Sequence, residues 1–67
     1  MAELCFKIPA IEDGNGIKVI TSRVRKIEGI SGVEIDLHTR WVVITGEHID
    51  TEAIRNAVRH AGYDAEL

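Results

Sequence analysis

The chain has a single cysteine, Cys5, and a single proline, Pro9. One cysteine closes no internal disulfide, so a reducing, cytoplasmic setting is expected. No run of about 20 apolar residues occurs, and membrane insertion is not expected. The start, Met1-Ala2-Glu3, has neither the basic nor the apolar region of a signal peptide. Positive charge is not in excess: eight Lys and Arg stand against eleven Asp and Glu, for a net charge of −3. Nucleic-acid binding, which needs clustered positive charge, is therefore not expected. Catalytic groupings are missing too. His38, His48 and His60 fall in a turn, a loop and a helix, and no pair has the i, i+4 spacing of a metal-binding helix. No Ser-His-Asp, Cys-His or paired-carboxylate arrangement can be assembled, so the chain is not expected to be an enzyme.

What is present is an ordinary globular composition, 45% hydrophobic and 28% charged over 67 residues. That length is one domain, residues 1–67, and a chain so short buries only about 60% of its unfolded surface. Leu4-Cys5-Phe6-Lys7-Ile8 alternates at period two, which predicts a first strand with Leu4, Phe6 and Ile8 toward the core. Pro9 ends it, having no N–H for a ladder. Ile17, Ile20, Val24 and Ile27 make one stripe of a helix, with Lys18, Arg23, Arg25 and Lys26 opposite. Asp13 or Asn15 is its expected cap, and Gly29 or Gly32 its expected stop. Val33–Leu37 alternates as a second strand, His38-Thr39-Arg40 is a turn, and Trp41–Thr45 is a β-branched third strand. Asp50 or Thr51 caps a second helix with its stripe at Ile54, Ala57, Val58 and Ala61. Gly62 stands where a C-terminal cap belongs, and Tyr63–Leu67 reads as a short fourth strand.

The order βαββαβ in a chain of this length predicts an α+β, ferredoxin-like fold. Its expected form is a four-stranded antiparallel sheet, order 4-1-3-2, with both helices on one face. The other sheet face is left uncovered.

Between the first strand and the first helix lies Pro9-Ala10-Ile11-Glu12-Asp13-Gly14-Asn15-Gly16-Ile17. Asp13-Gly14-Asn15-Gly16 has the look of part of a calcium loop. The positions that would complete an EF-hand hold Ile11 and Ser22, neither of which supplies the required carboxylate. A tight glycine turn with a helix cap is the simpler reading, with a weak, water-rich cation site at Glu12 and Asp13 as its alternative. Two adjacent carboxylates oppose phosphate capture there.

Three stretches resemble the heavy-metal-associated domain of copper chaperones and soft-metal P-type ATPases. Phe6-Lys7-Ile8-Pro9-Ala10-Ile11 is similar to its first strand and following turn. Gly32-Val33-Glu34-Ile35-Asp36-Leu37 is similar to its second strand, and Ile54–Asp64, ending Ala61-Gly62-Tyr63-Asp64, to its second helix and the turn after it. The resemblance implies a metal-handling setting, with a metal transporter among the partners to expect. In the family, two cysteines of an M-x-C-x-x-C motif hold Cu(I) or another soft ion. With Ile11 in the methionine place, those two positions fall on Asp13 and Gly16. A carboxylate and a glycine do not replace two thiolates, because soft Cu(I) selects sulfur. The expected function is therefore a protein-binding module on a metallochaperone scaffold, with no resident cofactor. The alternative is a carrier of a weakly bound divalent or soft ion through Asp13, Glu12 or a Cys5 shared between two chains. The resemblance also places the Tyr63 loop beside the Asp13–Gly16 loop as its support.

Val42 and Ile44 match the family's core-facing pair in the third strand. Trp41, Val43 and Thr45 then point to the open sheet face, where Cys5 and Lys7 join them from the neighbouring strand. Trp41, Val43, Cys5 and Lys7 are thus the expected interface for a protein partner or a homodimer. A competing expectation has the stems of Lys7 and Arg40 covering the indole. Cys5 itself reads either as a small apolar filler or as a thiol that meets a second chain or a metal.

Overall fold

The computed structural model describes residues 1–67 throughout. Strand β1 runs Ala2–Lys7, helix α1 Gly14–Arg25, β2 Ile30–Ile35, β3 Trp41–Gly46 and helix α2 Thr51–His60. The strands form an antiparallel sheet in the order β1-β3-β2. The α+β layer arrangement is the expected one, and neither helix is long and apolar enough to cross a membrane.

The expected fourth strand is reduced to one bridge. Glu66 N–H donates to the Lys7 carbonyl at 2.8 Å, and this is the only ladder contact on the outer edge of β1. The bridge lies beside β1, where the order 4-1-3-2 puts the fourth strand, but the sheet has three strands. Tyr63–Leu67 offers only Tyr63, Ala65 and Leu67 as an apolar alternation, and Leu67 remains exposed, so little burial holds it to the edge.

Nine side chains are essentially inaccessible: Phe6, Ile8, Ile11, Ile20, Val24, Val42, Ile44, Ile54 and Val58. Strand parity explains the sheet's share, since Phe6 pairs with Val42 and Leu4 with Ile44 on the helix side. Helical periodicity explains Ile20, Val24, Ile54 and Val58, while Ile8 and Ile11 are buried from the connection between β1 and α1. Several boundaries differ from expectation. Strand β1 starts at Ala2, and Leu4 is only partly buried. Helix α1 stops at Arg25, so Ile27 packs on the core from the turn that follows, with its N–H on the Val24 carbonyl at 3.0 Å. Gly29, at φ 91°, lies within that turn, while Gly32 is a strand residue. Strand β2 begins at Ile30 and ends at Ile35, leaving Leu37 in the hairpin and exposed. A bulge at Ser31, between the pairs Ile30–Gly46 and Gly32–Thr45, shifts the register there.

The helix ends are closed by side chains and backbone. Asp50 Oδ1 accepts from Glu52 N–H at 3.0 Å and Ala53 N–H at 3.3 Å. At the far end of α2, Tyr63 N–H reaches the Val58 carbonyl at 3.1 Å and Gly62 N–H the Arg59 carbonyl at 3.0 Å, the paired bonds of a Schellman motif. Gly62 has φ 92°, a left-handed conformation that glycine adopts without penalty.

Candidate functional site

The loop from Ile8 to Gly14 is held at three points. Ile11 is wholly buried, and its N–H bonds the Ile8 carbonyl at 3.2 Å. Its own carbonyl accepts from Arg40 Nε at 3.0 Å, a tie from the β2–β3 hairpin. Asp13 caps α1: its backbone is extended and its Oδ1 accepts from Gly16 N–H at 3.0 Å. Asp13, not Asn15, is therefore the cap. Glu12 is exposed and makes no hydrogen bond or ion pair within the chain.

Gly16 is buried in the first turn of α1. A Cβ built on it would stand 2.5 Å from Tyr63 Oη and 3.2 Å from both Tyr63 Cζ and Ile11 Cγ1. The half-buried Tyr63 ring thus fills the volume that a side chain at position 16 would need. The Schellman turn at Gly62 delivers the ring to this place. No three His, Cys, Asp or Glu side chains converge anywhere in the chain. The Glu12 and Asp13 carboxylates are the loop's only charged groups able to ligate a cation, and that of Asp13 already accepts a hydrogen bond from the helix backbone.

The open sheet face carries the other expected residues. Cys5 is paired with Val43, and Lys7 with Trp41, across β1 and β3. Trp41 is 44% exposed, and Lys7 Nζ sits 5.7 Å from the centroid of its ring. Lys7 therefore lies over the indole as one expectation had it, but Arg40 does not share that task, since its Nε is bonded to the Ile11 carbonyl. Cys5 is exposed, with Sγ 3.9 Å from Glu3 Oε1, a weak contact at most. Val43 is partly buried between these neighbours. The loop residues and the open-face residues thus form two separate groups, one at the α1 N-terminus and one on the sheet.

Two features were missed by the pattern of residues. The full burial of Ile11 escaped because it lies in a loop, outside any periodic segment. The Arg40 tie escaped because Arg40 adopts φ 63°, uncommon for a residue with a side chain, and only the hairpin geometry aims its guanidinium back across the loop.

No curated protein sequence matches significantly. Among solved structures, apo-CopP from Helicobacter pylori superposes with a TM-score of 0.87 at 23% identity, over 96% of this chain and 98% of that one. The copper chaperone Atx1 from Synechocystis PCC6803, in its Cu2 form, gives 0.83 at 25% identity, over 94% and 98%. The Atx1–Cu(I)–Ccc2a complex gives 0.83 at 18% identity, over 96% and 90%. A family model, that of the heavy-metal-associated domain, matches residues 5–64. With that match running through β1, both helices and the Tyr63 turn, the chain belongs to the heavy-metal-associated domain family.

Proposed function

We propose that this member of the family is a protein-binding module whose Asp13–Gly16 loop has given up soft-metal carriage. The observation that carries the reading is the loop chemistry. With Ile11 in the methionine place of the family motif, Asp13 and Gly16 take the two cysteine positions. Asp13 spends its carboxylate on the Gly16 N–H, and Tyr63 occupies the space beside Gly16. Cu(I) selects thiolate and thioether, and this loop supplies neither. The residues present do not fit a soft ion as cargo. Support for a binding role comes from the open face, where Trp41 stands 44% exposed beside Val43 and Cys5. Aromatic side chains on such faces are the usual anchors of interfaces. A metallochaperone-like neighbour also acts through a partner, as the Atx1–Cu(I)–Ccc2a complex illustrates. A metal transporter domain is accordingly the partner class expected.

Titration with Cu(I) in competition with bicinchoninate tests the loop. The monomer is expected to leave the chelator's copper in place. Tight one-to-one binding by a demonstrated monomer would sink the reading. Binding that vanishes in Cys5→Ser would instead assign the ion to a thiol on the sheet face. The interface is tested by Trp41→Ala, which should leave the fold intact and weaken association by about 2 kcal/mol where Trp41 is a hot spot. Sedimentation over a concentration series, with capture of partners from the source cells, reads this out. A variant that unfolds while capturing the same partners would return Trp41 to the core.

A further inference from the structure

The outer edge of β2 is unpaired, and its two faces differ in chemistry. Strand β2 lies at the end of the sheet, with only β3 beside it. Asp36 N–H donates to the Trp41 carbonyl at 2.9 Å, and the Asp36 carbonyl accepts from Arg40 N–H at 2.7 Å. By the alternation of an antiparallel ladder, Glu34 also bonds inward to its partner Val43. The N–H and C=O groups of Val33 and Ile35 therefore point away from the sheet. The bulge at Ser31 disturbs only the first residues of the strand, and Gly32–Ile35 pairs regularly.

Side chains along this edge alternate. Val33 and Ile35 face the helices and pack, half-buried, on the core. Glu34 lies on the open face with Val43, and Asp36 extends the acidic line toward Trp41. An open surface depression lies here, lined by Glu34, Asp36, Leu37, Trp41 and Val43 among others. Neither carboxylate has a cation, since the chain's one ion pair joins Arg55 and Glu52; Asp36 Oδ1 accepts from His38 N–H at 2.8 Å and Thr39 N–H at 3.3 Å, which leaves Glu34 as the acid with no partner. An unpaired edge is a template for another strand, and native proteins commonly blunt one with charged side chains, proline or a bulge. This edge has no lysine or proline; its bulge is confined to Ser31, and its charges are the acids Glu34 and Asp36.

We propose that the β2 edge takes up an extended segment of the protein partner as a further antiparallel strand, and that this segment alternates basic and apolar residues. The inference rests on the protein-binding reading and names the partner's chemistry. Main-chain bonds to Val33 and Ile35 supply the pairing. Partner residues opposite Val33 and Ile35 share their face, so those residues are apolar. The residues between them lie beside Glu34 and Asp36, where Lys or Arg is complementary.

The test uses the full chain, isotope-labelled, with an acetylated and amidated Arg-Val repeat hexapeptide as probe. Two control peptides accompany it: a Glu-Val repeat, and the Arg-Val repeat with its valine amides N-methylated. Binding should slow hydrogen exchange at the Val33 and Ile35 amides at least tenfold. The N-methylated peptide should bind at least tenfold more weakly, because its methyl groups block the edge-facing bonds while its charge is unchanged. Glu34→Gln, an exposed change, should weaken binding severalfold, and the effect should shrink with salt. Equal binding by the N-methylated or Glu-Val peptide would overturn the proposal. Unchanged exchange at Val33 and Ile35, while Trp41→Ala still alters captured partners, would overturn the edge assignment and leave the broader interface reading standing.

Discussion

Asp13 shows how one loop side chain secures the start of a helix. Its Oδ1 accepts the Gly16 N–H, one of the donors a helix start leaves unsatisfied. Asp13→Ala should therefore cost about 1 kcal/mol. For a chain of this length, that is a fall in Tm of about 4–8 °C. Calcium or magnesium should then move the Tm of neither form. A large, Asp13-dependent rise at sub-millimolar ion would reveal a hard-cation site. Gly16 and Tyr63 make a second, sharper case. Alanine in a helix is favoured over glycine by up to about 1 kcal/mol. Here the new methyl group would meet Tyr63 Oη at 2.5 Å. Removing that oxygen removes the nearest obstacle. Gly16→Ala should thus be more favourable in Tyr63→Phe than in the wild type, by roughly 0.5–1 kcal/mol of coupling. Urea melts of the four proteins measure it, and simple additivity would place the ring elsewhere.

Among the elements, the turn that ends α2 does the most to shape the site. Nothing lies within 4 Å of a Cβ built on Gly62, so packing does not forbid a side chain there. The φ of 92° does. Gly62→Ala should accordingly cost about 1–2 kcal/mol, the penalty of a left-handed residue with a Cβ. Gly62→Asn should recover part of it, since asparagine tolerates that region. Equal loss in the two variants, read by thermal melts, would mean that the cost arises from something other than backbone conformation. Both helices were legible because their apolar stripes repeat at Ile17, Ile20 and Val24 and at Ile54 and Val58. The start of β2 was not. Ile30-Ser31-Gly32 breaks the alternation, and the bulge that accommodates it depends on where β3 lies, which no local pattern records.

At the scale of the whole molecule, the layers and the order of elements followed from alternation and periodicity, and the fourth strand did not. A strand on an edge is held by what it buries, and the last residues bury little. The candidate loop was legible by position, through Asp13 and Gly16. That Tyr63 lies beside it came from the family resemblance and not from any local pattern, because Tyr63 is 47 positions away from Gly16 and reaches it only through the geometry of α2 and its terminal turn. The open face was legible from strand parity once the family resemblance set the phase at Val42 and Ile44. Cys5, Lys7, Trp41 and Val43 lie on it as neighbours in the register of β1 and β3. The split of roles around the indole, with Lys7 above it and Arg40 turned to the Ile11 carbonyl, needed the hairpin's three-dimensional course.

The placement of Trp41 also fixes what light can report about this molecule. It is the sole tryptophan, already 44% exposed in the folded chain, with an ammonium 5.7 Å from its ring. Its emission maximum should shift little on unfolding, since the indole begins half in water. An occupant on the sheet face would dehydrate it and move emission to the blue. Tryptophan fluorescence will thus be a poor gauge of folding and a sensitive gauge of occupancy, and melts of this protein are better followed by far-ultraviolet circular dichroism.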